Sequence, residues 1–195
     1  GVAVSKRGWI LLGSAIPVAV FFALLVWAST RTGGRAGGVF VNSKLGELRV
    51  SPAPARPFSL ELLDGRTVAL AGLQGKVVMV DFWASWCPPC RKEAPVLAEV
   101  YREYAGQGVE FVGVDIWDRR EDAQGFVARY GVPYPNGIDT KGTIAIDYGV
   151  RGIPEKFFIG RDGTLLKKFG GPMDAATLRR VLDGILTPGP GDRTY

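Results

Sequence analysis

The feature that most constrains the fold is a pair of cysteines, Cys87 and Cys90, the only two in 195 residues. They follow an apolar run, residues 77–82 (VVMVDF), and precede residues 91–104, where apolar side chains recur at helical spacing. This pattern predicts a buried strand and then a helix that begins at the cysteines. Cys87 would lie at the helix N-terminus, where free backbone N–H groups and the helix dipole favour a thiolate. The two intervening prolines suit a first helical turn, and Cys90 is then close enough to form a disulfide with Cys87.

The remaining composition excludes several kinds of site. The sequence contains no histidine, which rules out Ser-His-Asp triads, Cys-His dyads and His-containing metal sites. A zinc site would need carboxylates or a second chain to complete four ligands, and a structural disulfide that closes so short a loop would add little stability. The sequence therefore predicts redox chemistry at the cysteine pair, with no metal and no other cofactor. The 24 basic and 19 acidic residues, net charge +5, are too balanced to indicate a nucleic-acid partner.

A long uncharged segment lies near the start of the chain, at residues 9–28 (WILLGSAIPVAVFFALLVWA). As a helix it would extend about 30 Å, the thickness of a bilayer's hydrocarbon core, with Trp9 and Trp27 at the two interfaces. The alternative is a cleaved signal peptide, although the run exceeds the usual apolar core of such peptides. We expect residues 1–30 to form a cytoplasmic stub and a single transmembrane anchor. If the N-terminus stays inside, the globular part lies outside the cytoplasm, on the periplasmic or outer face of the cell membrane.

The rest of the chain divides into a flexible linker at 31–52, a domain at 53–187 and a disordered tail at 188–195. Glycines at 32–38 and prolines at 51–57 support the linker, whereas the structure of 39–50 is not predicted. The domain reads as strands and helices in alternation, which predicts one α/β sheet covered by helices, with an N-terminal β-hairpin extension. The predicted elements are a hairpin at 58–63 and 67–70, strands at 77–82 and 109–116, helices at 91–104, 120–130 and 143–148, a second hairpin at 156–159 and 165–169, and a final helix from the cap Asp174 to Leu186.

Two segments resemble landmarks of thioredoxin-fold proteins. Residues 80–95 (VDFWASWCPPCRKEAP) resemble the active-site strand and helix, and residues 149–154 (GVRGIP) resemble the loop that ends in a cis-proline. The resemblance covers about residues 53–186 and, with the anchor, is closest to the TlpA/ResA/CcmG branch. Members of that branch are membrane-anchored, face away from the cytoplasm and keep thiols reduced during cytochrome c maturation. The resemblance implies a thioredoxin-like mixed sheet and protein-disulfide reductase activity.

The resemblance also assigns roles to residues around the disulfide. Cys87 matches the exposed attacking cysteine, and Cys90 matches the buried resolving cysteine. Pro154 matches the cis-proline beside the disulfide, with an ordinary trans-proline as the alternative. The backbone of Ile153 is then expected to pair with an incoming extended substrate.

Two acidic residues are candidates for proton transfer or for tuning the cysteines. Asp81 lies in an otherwise apolar strand, so burial should raise its pKa and allow it to accept a proton from Cys90. This aspartate matches thioredoxin, whereas the maturation branch more often carries asparagine. Glu93 matches a glutamate that tunes the cysteines in maturation proteins, because a nearby negative charge favours a stronger reductant. The alternatives are an aspartate that reaches solvent and an ordinary glutamate on the helix surface.

Four further residues are expected near the substrate or in the core. Glu155 matches a charged residue that borders the substrate groove in CcmG-like proteins, with an exposed strand residue as the alternative. Trp86 and Pro88 are predicted to contact substrate on the exposed rim. Trp83 fits the core as well as the rim.

The expected reaction is reduction of a protein disulfide. The Cys87 thiolate attacks the substrate disulfide, and Cys90 then displaces the reduced product. By resemblance, the substrate is an apocytochrome c and the electrons come from a membrane thiol carrier of the DsbD/CcdA type. Two alternatives stay open: a disulfide oxidant or isomerase, and a Cu(I) chaperone or thiol reductant for an oxidase copper site. Soft thiolates hold Cu(I), but the chain has no histidine and only Met79 and Met173 to assist them.

Overall fold

The computed structural model describes residues 17–27 and 40–187, which belong to two separate units. Residues 17–27 form a helix, α1. Among these described residues, no helix is both long and apolar enough to span a bilayer. The rest of the predicted anchor (residues 9–28), the glycine-rich spacer (32–38) and the predicted tail (188–195) lie outside the described residues.

The second unit contains the predicted strands and helices in the predicted order, together with short strands that were not predicted, among them one between the second and third predicted helices. Its elements are β1 (Phe40–Val41), β2 (Gly46–Leu48), β3 (Ala53–Pro54), β4 (Ser59–Glu61), β5 (Thr67–Ala69), β6 (Val77–Trp83), α2 (Pro88–Tyr104), β7 (Val109–Asp115), α3 (Arg120–Tyr130), β8 (Asn136–Ile138), α4 (Thr143–Asp147), β9 (Gly152–Ile153), β10 (Glu155–Ile159), β11 (Thr164–Gly170) and α5 (Ala175–Leu186).

The main sheet is mixed, as predicted, with the strand order β2–β11–β10–β6–β7–β8. Strands β6, β7 and β8 run parallel, whereas β10 and β11 are antiparallel to their neighbours. All seven residues of β6 are buried, which is why this strand reads as an apolar run rather than an alternating one. Because parallel strands end at the same edge of a sheet, the segments that follow β6 and β7 are brought together there.

Helix α2 starts directly after the first cysteine. Cys87 is the N-cap residue and the two prolines occupy the first turn, as predicted for a helix that begins at the cysteines. Its buried stripe includes Cys90, Ala94 and Leu97, at the i, i+4 and i+7 spacing of a helix face that packs on a core. This stripe holds the disulfide end of α2 against the sheet.

The predicted N-terminal hairpin is confirmed. Strands β4 and β5 pair antiparallel around the turn at Asp64 and Gly65, where Gly65 has a φ of 85°. A bridge between Leu62 and Gly137 joins the hairpin to β8 at the edge of the main sheet.

Residues 40–48, which were expected within the flexible linker and had no secondary-structure prediction, pair with distant strands. β1 runs parallel to β9, with Val41 opposite Ile153, and β2 and β3 both pair with β11. The residues of β2 and β3 are exposed, so this segment is held mainly by backbone hydrogen bonds.

Candidate active site

Cys87 and Cys90 form a disulfide at the N-terminus of α2, with their Cα atoms 5.3 Å apart. The backbone N–H of Cys90 donates a hydrogen bond to Cys87 Sγ at 3.3 Å, so the sulfur lies over the first helical turn. Cys90 is buried, as predicted. The prediction that Cys87 is exposed is wrong for this oxidised chain, because its side chain folds back over the helix N-terminus and has no exposed surface.

The predicted cis-proline is confirmed at the Ile153–Pro154 bond. Pro154 lies between β9 and β10, and its carbonyl accepts a hydrogen bond from Gly171 N at 2.8 Å. The carbonyl of Ile153, which was expected to pair with substrate, accepts a hydrogen bond from Asn42 N at 2.6 Å. A segment of the chain itself therefore occupies this strand edge.

Asp81, Glu93 and Lys156 form a buried charge cluster. Asp81 on β6 and Lys156 on β10 are opposite each other in the strand pairing, and Glu93 approaches from α2. Lys156 Nζ lies 2.6 Å from Glu93 Oε1 and 3.3 Å from Asp81 Oδ1. The second Glu93 oxygen accepts a hydrogen bond from Met173 N at 2.8 Å. None of the three charged side chains is more than 3% exposed, so water screens their interactions poorly.

Burial dominates the ionisation of both carboxyl groups in the cluster. It raises the pKa of Asp81, although the Lys156 ammonium acts in the opposite direction. Burial likewise raises the pKa of Glu93 to about 7, again against the effect of Lys156. For Lys156 itself, burial lowers the pKa, but the two carboxylates outweigh burial and the pKa is raised overall. The alternatives of a solvent-reaching aspartate and a helix-surface glutamate are therefore wrong.

Lys156 was not identified as a site residue from the sequence. It lies two residues after the cis-proline in a strand whose five residues are all buried. A lysine in such a strand needs a buried partner, because an unpaired ammonium is costly to desolvate. Its position in a buried strand was therefore a usable signal that Lys156 has a buried partner, but the sequence does not show which carboxylates lie next to it.

Glu155 is next to Pro154 in the chain, but its carboxylate does not border a groove. It is buried, and its Oε1 accepts hydrogen bonds from the backbone N–H groups of Arg151 and Gly152 at 3.3 and 3.2 Å. Its Oε2 lies 2.8 Å from Lys168 Nζ. The interpretation of Glu155 as an exposed strand residue is corrected in the same way: the side chain turns inward and holds the loop that precedes the cis-proline.

The aromatic residues beside the cysteines have different surroundings. Trp86 is 40% exposed and Pro88 is also exposed, so both present surface next to Cys87, as predicted. Trp83 belongs to the core, where it stacks on Phe126 and its Nε1 donates a hydrogen bond to Asn136.

A second loop is fastened to the cysteine loop. Ser85 donates hydrogen bonds to Asp118 through both its backbone N–H and its hydroxyl. Asp118 follows β7, at the sheet edge where β6 also ends. Its neighbour Trp117 has a φ of 62° and is 57% exposed, so a second tryptophan lies on the loop tied to the cysteines. Sequence reasoning did not single out these residues, although their position directly after a parallel strand was a usable signal.

A disulfide at a helix N-terminus can be opened by a thiolate and closed again through a mixed disulfide. The fold and this site define the chain as a thioredoxin-fold thiol–disulfide oxidoreductase. The chain belongs to the AhpC/TSA family, which it matches over residues 52–168.

Named relatives agree with this class. The chain is 34% identical to the thiol-disulfide oxidoreductase ResA of Halalkalibacterium halodurans over 182 residues, covering 91% of this chain and 94% of the relative. It is 38% identical to the thiol:disulfide interchange protein HelX of Rhodobacter capsulatus over 113 residues, covering 57% and 62% of the two chains. Among solved structures, a thiol:disulfide interchange protein from Chlorobium tepidum is similar with a TM-score of 0.66 at 31% identity, covering 72% of this chain and all of the other.

Proposed function

We propose that the chain is a membrane-anchored, extracytoplasmic protein-disulfide reductase that acts on the disulfide of an apocytochrome c. The observation that carries the proposal is the burial of two carboxylates, with a single lysine between them, against the turn of α2 that follows Cys90. The negative charge that this cluster gains as its second carboxyl group ionises disfavours nearby thiolates and so favours a reducing couple. The relatives named ResA and HelX support an assignment to the cytochrome c maturation branch.

The proposed reaction takes two thiol–disulfide exchanges. The Cys87 thiolate attacks one sulfur of the substrate disulfide, and the other substrate sulfur leaves as a thiolate that takes a proton from water. Cys90 then loses its proton to the buried charge cluster and attacks Cys87, so the bond between Cys87 and substrate breaks. Two electrons pass from the cysteine pair to the substrate, and the Cys87–Cys90 disulfide forms.

Membrane anchoring supports the choice of compartment and electron donor. The uncharged run of residues 9–28 has the length and the terminal tryptophans of a single transmembrane helix, and its residues 17–27 are helical. An enzyme that works as a reductant in an oxidising compartment needs electrons from elsewhere. We therefore propose re-reduction by a membrane thiol carrier of the DsbD/CcdA type, with the cysteine pair as the only redox group.

The reduction potential of the Cys87–Cys90 couple tests the direction of electron flow. We expect equilibration of the full chain with a thiol buffer to give a value near or below that of thioredoxin, about −270 mV. A value near that of strong oxidants, about −120 mV, would contradict the proposal and favour a disulfide-forming enzyme.

Trapping tests the substrate class. Cys90→Ser leaves Cys87 able to attack but removes the resolving thiol, so it should accumulate a mixed disulfide with an oxidised apocytochrome c peptide that carries a C-x-x-C motif. The Cys87→Ser, Cys90→Ser double variant is the matched control and should trap nothing. An absence of adduct from the single variant, while glutathione still forms one, would exclude the apocytochrome as substrate.

A further inference from the structure

Lys156 is the centre of the buried charge cluster and connects two carboxylates that come from different elements. Its Nζ lies within 3.3 Å of Asp81 on β6 and within 2.6 Å of Glu93 on α2. The lysine is fully buried, so neither carboxylate can exchange it for water. The other groups that face the cluster are the buried Tyr134 and the backbone N–H of Met173.

We propose that Lys156 is a positioning residue of the redox reaction: its ammonium holds Asp81 and Glu93 together as a single proton-accepting unit that serves Cys90. Two buried carboxyl groups without a cation would both remain protonated at neutral pH, because burial disfavours the charged form. With one ammonium between them, one carboxylate stays ionised and a proton is shared by the pair. Lys156 thus keeps an acceptor available in the helical turn that follows Cys90.

The positions of the two carboxyl groups suit this role. Glu93 is one helical turn after Cys90 and lies on the same buried stripe of α2. Asp81 Oδ1 is paired with Lys156 Nζ at 3.3 Å and accepts no hydrogen bond from the described residues, so it keeps a lone pair for a proton. In the step itself, the Cys90 S–H proton moves to a carboxylate oxygen and the Cys90 thiolate attacks the Cys87 sulfur. The Cys87–Cys90 bond forms, and the group bound to Cys87 leaves as a thiolate.

The test starts from a preformed mixed disulfide between Cys87 and an aromatic thiol. Attack by Cys90 releases the aromatic thiolate, whose absorbance measures the rate of this step. In Lys156→Met the release rate should be about tenfold lower at neutral pH, and its pH profile should move at least about one unit to the alkaline side. Lys156→Arg, which keeps the charge, should retain the wild-type profile. A ¹³C titration of the Glu93 carboxyl should show a higher pKa in Lys156→Met than in the wild-type chain.

The titration also separates a positioning role from a merely structural one, because it measures the pKa of Glu93 in the folded protein. An unchanged release profile in Lys156→Met, or a profile in Lys156→Arg that matches Lys156→Met, would overturn the inference. The inference rests on the thiol–disulfide chemistry of the proposed function but not on its substrate. A wild-type chain that releases the aromatic thiol but does not reduce an apocytochrome would contradict the proposed function alone.

A second inference comes from the strand edge beside the disulfide. Strand β1 pairs with β9, the two-residue strand that leads into Pro154. Asn42 adds two hydrogen bonds, from its N–H to the Ile153 carbonyl at 2.6 Å and from its side-chain amide to the Pro154 carbonyl at 3.3 Å. An open strand edge is a template for an extended peptide, and here the chain's own segment fills it.

We infer that residues 40–45, here called the strap, cover the docking edge for substrate and must leave before Cys87 can exchange. Cys87 has no exposed surface in the oxidised chain, so a thiolate cannot reach its sulfur without movement nearby. The strap is suited to move, because Val41 and Leu45 are 42% and 37% exposed and contribute little buried apolar area.

Asn42→Pro tests the strap, because proline lacks the N–H that binds the Ile153 carbonyl. We expect the opening of the oxidised disulfide by glutathione to be at least about threefold faster in this variant. Asn42→Ala keeps the backbone hydrogen bond, so its rate of disulfide opening should lie between the rates of Asn42→Pro and the wild-type chain. A synthetic peptide of residues 39–45 should slow the opening of the disulfide in Asn42→Pro again.

Equal or slower opening in Asn42→Pro would overturn the inference. Because glutathione is the reactant, that result would leave the apocytochrome assignment unaffected.

Discussion

Asp115 is a buried carboxyl group that the proposed reaction does not use. It ends β7 and has no exposed surface, and neither of its side-chain oxygens has a hydrogen-bond partner among the described residues. Burial, reinforced by the nearby Asp118 carboxylate, raises the pKa of Asp115 to about 9. Asp115 is therefore protonated in the folded chain at neutral pH, while the same group is ionised in the unfolded chain.

This difference predicts a pH-dependent effect of Asp115→Asn on stability. The pKa is higher in the folded state, so the stability linked to this proton is fully present below about pH 4 and is lost as the pH rises toward about 9. Asparagine does not titrate, so the variant should be more stable than the wild-type chain at about pH 8 by at least ~1.4 kcal/mol, the equivalent of one pKa unit. Urea unfolding of the oxidised chain at several pH values measures the difference.

The difference in the free energy of unfolding between Asp115→Asn and the wild-type chain should disappear at about pH 4, where both side chains are neutral. Asp147→Asn, at an exposed position, is the control. A gap that is the same at both ends of the pH range would show that the substitution acts through packing rather than through the proton.

At the residue scale, the sequence predicted the burial of Asp81 and Cys90 better than it predicted which charged groups meet in the fold. Asp81 was expected to be buried because its strand is otherwise apolar, and it is. Glu93 falls on the same helical stripe as Cys90 and Leu97, so its burial could have been inferred from spacing. Lys156 and the inward turn of Glu155 depend on contacts between strands and loops, and a linear pattern contains no information about those partners.

Gly137 shows how one residue can fix the position of a whole element. It lies in β8 opposite Leu62, and a Cβ atom at this position would meet the backbone carbonyl oxygen of Glu61 and the side chain of Leu60. The backbone of the hairpin cannot retreat as a flexible side chain could. The absence of a side chain at Gly137 therefore allows the hairpin β4–β5 to dock on the edge of the sheet.

We expect Gly137→Ala to destabilise the oxidised chain by about 1–3 kcal/mol, because overpacking forces the backbone to shift. Gly125→Ala is the matched control, since a Cβ at that position in α3 meets nothing within 4 Å. That control should instead stabilise the chain by up to about 1 kcal/mol, because alanine favours the helix. The free energy of unfolding in urea measures both variants, and equal effects would contradict the docking argument.

At the element scale, local signals predicted most of what forms and long-range pairing produced the rest. The final helix has its predicted cap, since Asp174 accepts a hydrogen bond from Thr177 N at 2.7 Å. The two hairpins follow from Asp-Gly turns between short strands. Strand β1 was not predicted because its partner is more than 100 residues away and a two-residue strand has no periodicity of its own.

At the scale of the whole molecule, the fold collects the site from distant parts of the chain. The cysteines, the cis-proline and the strap come from three separate segments, and Glu93 meets a lysine 63 residues further on. The thioredoxin-like class was predictable because two motifs occur in the right order. The buried charge cluster was not, because it exists only once β6, β10 and α2 have packed.

The same collection of groups links the redox state to the stability of the whole chain. If the folded couple is as reducing as proposed, and lower in potential than the couple in the unfolded chain, the disulfide form is the more stable folded form, since a thermodynamic cycle ties the two stabilities to the difference between these potentials. At about pH 8, where Glu93 is largely ionised because its pKa is about 7, the oxidised chain should have the higher free energy of unfolding. Glu93→Gln should reduce the difference in the free energy of unfolding between the oxidised and reduced chains. The reduction should be about 1.4 kcal/mol for every 30 mV by which the substitution changes the reduction potential. Urea unfolding with and without reductant measures the gap, and the Cys87→Ser, Cys90→Ser variant should not respond to reductant. A reduced form more stable than the oxidised one would instead identify an oxidant.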